Sequence, residues 1–425
     1  MKTTACLFDE KLLTSIRDHF LYVDTDEKGD KRIFLDIAAG NFKLKTLPEI
    51  MARENSLPGQ TICDLDADSV RIKKILAQGE EDWRIFLNAS DGVLWPEIAA
   101  SSIIARLIFT VAENVPGTNI VTTHLEHPCS GDSARQAAEQ FHKELRVAPV
   151  DHASGRVTAE SILNLIDENT CLLTFCNASN ASGAINDAET ICKKAREINP
   201  DIYIVIDGVQ YAPIAPVDVD AWKPDAYVFG PYKLTCARGY GLAYLSERMA
   251  LLPHRHFDGF PDNQWLMGSK NHANYAAFID TMNYLCWLGS NFTDSTNKRE
   301  LTVAAMHAIK AHLLGLAELT ALGMDGAAGL KNIPGVNLYA AEDLSERSCL
   351  LLFDIDGWDA NDLVLEYCKR GIHVRARHLD TYAVWALTGL GIDHPVIRVS
   401  ASHCTSPEEI KEFLLVTAQL AAEKN

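Results

Sequence analysis

The sequence has no run of apolar residues long enough to span a bilayer, which argues against a membrane-spanning helix. It has no CxxC pair. Its 11 cysteines are scattered and do not combine with histidines at zinc-ligand spacing. Such a set fits free thiols in a reducing compartment, not a disulfide framework, and no metal is expected. Positive charge is in short supply: 39 Lys and Arg stand against 57 Asp and Glu, a formal net charge of -18. That balance disfavours nucleic acid or an anionic membrane as a partner, and solubility alone accounts for it. Internal repeats and low-complexity tracts are absent. In ARGYGLAY, Gly239 and Gly241 do not form a GxGxxG turn at the start of a βαβ unit, so a nicotinamide dehydrogenase is disfavoured. The opening MKTTACLFDEKLL meets acidic residues before a secretion signal can form, and a cytoplasmic location is expected.

What is present is a chain of 425 residues, long enough for two domains, with 47% hydrophobic and 23% charged residues. Residues 1–60 read as an N-terminal arm that contributes to a smaller domain and to the rim of the site. Within it, IFLDIA is a short strand. From about residue 83 short apolar runs alternate with amphipathic stretches. The runs IFL (85–87), NIVTTH (119–124), CLLTFC (171–176), YIVID (203–207) and AYVFG (226–230) read as buried strands. SGDSARQAAEQFHKEL and DAETICKKAREINP read as helices between them. The fold class is α/β, with a mostly parallel sheet in a large domain over 61–292. Long helices are expected at 274–290 and 299–323. A smaller α+β domain over 293–425 carries the strands SCLLLFDI, IHVRAR and VIRVSA and the helices DANDLVLEYCKR and SPEEIKEFLLVTAQLAAEK.

Two strand ends carry candidate chemistry. YIVID ends in Asp207, followed by Gly208. AYVFG is followed by Pro231, Tyr232 and Lys233. Ligands of open α/β sheets bind just past the carboxyl ends of the strands. A lysine able to form a Schiff base and an acid able to keep a pyridine nitrogen protonated are what pyridoxal 5'-phosphate chemistry requires. Read singly, the same residues are a turn-capping aspartate and a solvated lysine.

The stretch DGVQYAPIAPVDVDAWKPDAYVFGPYK resembles the cofactor region of the class V aminotransferase family of fold-type I pyridoxal-phosphate enzymes. The similarity runs from FLDIAAG to IRVSASHCTSPEEI and is nearest to cysteine desulfurase-like and isopenicillin N epimerase-like members. It implies that Lys233 carries the cofactor, Asp207 holds the pyridine nitrogen, Gln210 bonds the ring hydroxyl and His127 stacks on the ring. It further implies phosphate contacts from the turn Ala89-Ser90-Asp91, with Ser90 the better donor, and from Tyr232. Asn180 and Arg398 would meet the substrate, Arg398 as the fork for its carboxylate. Gly268 and Ser269 would reach the phosphate in a neighbouring subunit, which implies a homodimer. Outside the family pattern, His127 is a loop histidine, Asn180 a turn former and Arg398 a surface strand arginine.

Two departures limit the resemblance. Gly230-Pro231-Tyr232 replaces the Ser-Gly-His that desulfurases commonly carry before the lysine. The loop that holds their persulfide cysteine reads His378-Leu379-Asp380-Thr381-Tyr382, and Cys368 and Cys404 lie outside it. Persulfide transfer needs a thiolate. Arg375, Arg377, His378 or Tyr382 would face the substrate instead. Arg375 and Arg377 suit a second acidic group or, equally, a solvated strand face. The expected activity is a lyase-type reaction (β-elimination, C–S lyase-like) on a small amino acid, with Lys233 moving the α-proton. Aminotransferase or epimerase activity is the alternative. A non-catalytic binding protein of this fold would be expected to lose Lys233 or Asp207, and both are present.

Overall fold

The protein is described here from a computed structural model covering residues 7–58, 62–380 and 382–424. Residues 1–6 of the opening segment and Thr381 lie outside the described residues. The larger sheet has seven strands: β1 (Val93–Glu97), β2 (Asn119–Thr123), β3 (Glu144–Ala148), β4 (Thr170–Cys176), β5 (Tyr203–Asp207), β6 (Ala226–Phe229) and β7 (Gly241–Leu245). Their order across the sheet is β1-β7-β6-β5-β4-β2-β3. β7 runs antiparallel to both neighbours, and every other pairing is parallel.

Both faces of this sheet are covered, which is why its strands read as unbroken apolar runs. Ile120, Leu172, Val205 and Val228 point to one face and pack under the helices α2 (Ala100–Asn114) and α3 (Pro128–Gln140) through Ile104, Leu107, Val111 and Ala137. Their chain neighbours Val121, Leu173, Ile204 and Phe229 point to the other face. They join Trp83, Phe86 and Phe278 in the main core. The alternation is the two-residue period of a strand expressed between two apolar layers.

A second sheet is antiparallel: β8 (Val336–Tyr339), β9 (Leu350–Ile355), β10 (Arg375–Arg377) and β11 (Val396–Ser400), in the order β8-β9-β11-β10. The run expected as one strand, IHVRAR, divides. Ile372–His373 pairs in parallel with Ile33–Phe34 from the start of the chain, while Arg375–Arg377 joins β11. Asp36, two residues beyond Phe34, bridges to Ser400 at the end of β11.

One expected strand is absent. IFL (85–87) forms the last turn of the helix α1 (Ala67–Leu87), and the strand follows it at β1. Ile72, Leu76, Gly79, Trp83 and Phe86 are buried at helical spacing, and three apolar residues are too few to distinguish a strand from a helix end. Asn88 closes α1 in the left-handed conformation, φ 53°. Among the described residues, no helix is long and apolar enough to cross a membrane.

Candidate active site

β5 and β6 are adjacent, with Asp207 paired to Val228. Their carboxyl ends therefore bring Asp207 and Lys233 to one edge of the sheet. Both line a cavity of about 310 Å³ together with His127, Cys129, Asn180, Gln210, Tyr232 and Arg238.

Asp207 is 5% exposed. Its Oδ1 accepts the Val209 N–H at 2.9 Å, while among the described residues Oδ2 has only the Cys129 thiol, at 3.9 Å. Burial raises the carboxyl, with Val209 and Lys233 opposing. Lys233 lies on the short turn Pro231–Lys233 that follows β6. Burial, then the Arg398 charge, push its ammonium down to about 8, so a free amine is accessible near neutral pH.

His127 is the N-cap of α3. Its Nδ1 accepts the Cys129 N–H at 3.2 Å. Burial, then the charges of Lys233 and Arg377, hold the imidazole down at about 4. The ring is therefore neutral, with its proton on Nε2. Gln210 Nε2 donates to the Ala38 carbonyl at 3.1 Å. Beneath the cavity, Glu126 accepts from Thr123 Oγ1 at 2.7 Å and from the Cys176 N–H at 2.9 Å. Burial pushes its carboxyl up to about 8.

The turn Ala89-Ser90-Asp91, expected to contact phosphate, lies outside the cavity. Ala89 and Ser90 follow the end of α1 and do not line the cavity. The Ala89 N–H donates to the Arg84 carbonyl, the Ser90 N–H to Asp220, and Asp91 accepts from the Tyr244 hydroxyl. The helix start that does line the cavity is Ala99-Ala100-Ser101, where α2 begins. Its N-cap, Ala99, has no side chain able to satisfy the first amides, which suits an anion. A Cβ on Gly241 would lie 2.2 Å from the Ala100 nitrogen, so only glycine lets β7 approach this helix start. Arg238 also lines the cavity, with its guanidinium 4.9 Å from the centre of the Tyr232 ring. Residues 85–87 close a helix instead of forming a strand, so the strand–turn–helix unit lies downstream, at β1 and α2. The signal for the correct turn is the small-residue run AASS ahead of IIARLIF.

The remaining residues divide. Arg398 is 3% exposed and donates to the Asn180 carbonyl at 3.0 Å and to Asp36 at 2.8 Å. Arg375 donates to the other oxygen of Asp36 at 3.0 Å. His378 turns away and contacts Asn361 at 3.1 Å. Tyr382 lies with its ring centre 6.0 Å from that of His127. Gly268 and Ser269 are exposed, outside the cavity of their own chain. Cys129 and Cys176, both lining the cavity, were not singled out from the sequence.

These residues fit pyridoxal phosphate. Asp207 keeps one oxygen for a ring nitrogen, Lys233 is an amine poised to bond an aldehyde, and α2 with Arg238 offers a cationic end for phosphate. A mostly parallel sheet carrying this acid and lysine at its carboxyl edge is the architecture of fold-type I pyridoxal-phosphate enzymes. The sequence profile described as aminotransferase class-V matches residues 33–413, and the chain belongs to that family; it is a pyridoxal-phosphate-dependent enzyme. It is 30% identical to a cysteine desulfurase of Haloferax volcanii over 37% of this chain and 38% of that protein. It is 26% identical to a probable cysteine desulfurase of Borreliella burgdorferi over 70% and 68%. The chain thus spans little more than a third of the first relative and about two thirds of the second. The apo structure of the cysteine desulfurase from Thermococcus onnurineus NA1 shares the fold, with a TM-score of 0.78 and 17% identity over 99% of this chain and 100% of that one.

Proposed function

We propose that this enzyme catalyses a lyase-type reaction, β-elimination from a small amino acid, without passing sulfur to a cysteine of its own. The observation that carries the reading is the state of the cavity cysteines. Cys129 and Cys176 are held as thiols by burial and by the nearby carboxylates Asp207 and Glu126. A thiol so held is a poor nucleophile. The loop at 378–382 has no cysteine.

Pyridoxal phosphate, when bound, supplies the electron sink for the α-carbanion. Lys233 holds the cofactor and then moves the α-proton through Nζ, whose depressed pKa near 8 suits a base at neutral pH. Asp207 keeps the ring nitrogen protonated through Oδ2. The neutral His127 ring would pack against the bound cofactor, Gln210 would contact its ring hydroxyl and Tyr232 its phosphate. Arg398 and Asn180 orient the substrate carboxylate. Ser269 would reach the phosphate of a partner subunit in a homodimer; the exposed Phe257, Phe260 and Met267, which precede it in the same stretch of sequence, suit such an interface. The expected location is cytoplasmic.

The test is to screen single amino acids with the cofactor-loaded enzyme. Elimination releases keto acid and ammonia in equal amounts over many turnovers. Keto acid formed once per site, with loss of the cofactor's visible band, assigns aminotransfer instead. Racemisation without keto acid assigns epimerisation. Persulfide found on Cys129 or Cys176 would overturn the reading.

A further inference from the structure

Arg375 and Arg398 are directly opposite across β10 and β11, so their side chains share one face of the second sheet. Arg377, two residues along β10, shares that face. Three guanidinium groups thus stand together. One carboxylate, Asp36, is hydrogen-bonded among them. It bridges Arg375 and Arg398, and among the described residues Arg377 forms no ion pair.

Asp380 accepts the Tyr382 N–H at 3.0 Å and its charge supports Arg377, but the two form no ion pair. Among the described residues the buried Arg377 Nε atom has no partner. Its charge acts on Arg398 and on His127, which lines the cavity. Burial and the neighbouring arginines lower its guanidinium to about 10. Asp36 pairs Arg375 and Arg398, and Arg375 is also open to solvent. With the α-carboxylate of an amino acid on Arg398, Arg377 is the guanidinium of this face left for a further acid group, and an unpaired, half-buried cation is costly.

We propose that Arg377 recognises an anionic side chain, so that the substrate is an α-amino acid ending in a second acid group: a carboxylate, sulfinate or sulfonate. The proposal rests on the reading of the cavity as an amino-acid site and adds the class of side chain to it.

The probes are L-aspartate and L-glutamate against their neutral amides, L-asparagine and L-glutamine, titrated into cofactor-loaded enzyme. Binding is read from the change in visible absorbance. An added charge-assisted hydrogen bond predicts acid-over-amide preference of about 10-fold or more. R377Q should collapse that ratio towards one, and R377K, which keeps the charge, should retain part of it. Equal affinity of acid and amide in the unaltered enzyme overturns the proposal, as does a ratio unchanged by R377Q. Failure of every amino acid to perturb the band, alanine and cysteine included, would instead remove the amino-acid reading on which it rests.

Discussion

Asp207 and Lys233 stand at the ends of adjacent strands of one sheet, buried, of opposite sign and close enough to influence each other. Arg375, Arg377 and Arg398 stand on one face of the other sheet, of like sign, with Asp36 as their shared carboxylate. In the proposed reading the first region supplies reactivity, and the second, where Arg377 forms no ion pair among the described residues, supplies selection. If the two sheets divide the work in this way, substitutions in them should fail in different ways.

The largest effect is expected in the first region. D207A removes the acid proposed to hold the ring nitrogen and should lower turnover by about 100-fold or more, the scale of a lost proton-holding group. Steady-state kinetics with the best amino acid of the screen checks this; a loss under about 3-fold would show that the two regions are not distinct in role. Next comes the second region. D36A leaves Arg398 buried without its carboxylate, and breaking a buried pair costs about 3–5 kcal/mol. Denaturant unfolding should report that loss, whereas R377Q, which breaks no pair, should change stability far less.

The smallest effect concerns Glu126. Its folded pKa, about 8, lies above that of an ordinary carboxyl at 4.5. The folded state therefore holds a proton that the unfolded state has lost between these values. The stabilisation is fully present below about pH 4.5 and is lost as pH rises through about 8. E126Q, neutral throughout, should flatten that slope, and near pH 4.5, where Glu126 has not yet lost this stabilisation, the two proteins should differ by about 1 kcal/mol or less. Unfolding curves across this pH range decide it; an unchanged slope would place the titration elsewhere.

The reactive region was legible because strands buried on both faces are continuous apolar runs, and a charged residue closing such a run stands out, as Asp207 does. The phosphate turn was not legible because Ile85, Phe86 and Leu87 satisfy a strand and a helix end equally. Only the preceding helical spacing of Ile72, Leu76, Gly79 and Trp83 separates the two. On the second sheet the sequence suggested two arginines and a histidine together. It could not show that Val374 separates two pairings, that Asp36 returns from the far end of the chain to hold Arg375, or that His378 turns to Asn361. Cys129 escaped notice because a single cysteine beside a proline carries no pattern. Its meaning comes from the Asp207 carboxylate 3.9 Å away.

The central claim is that Lys233 carries the cofactor. Its most direct test is borohydride reduction of the cofactor-loaded protein followed by peptide mass mapping. A pyridoxyl group on Lys233, absent from K233A, is the predicted result. A pyridoxyl group on another lysine, or a reducible linkage that persists in K233A, would contradict the account.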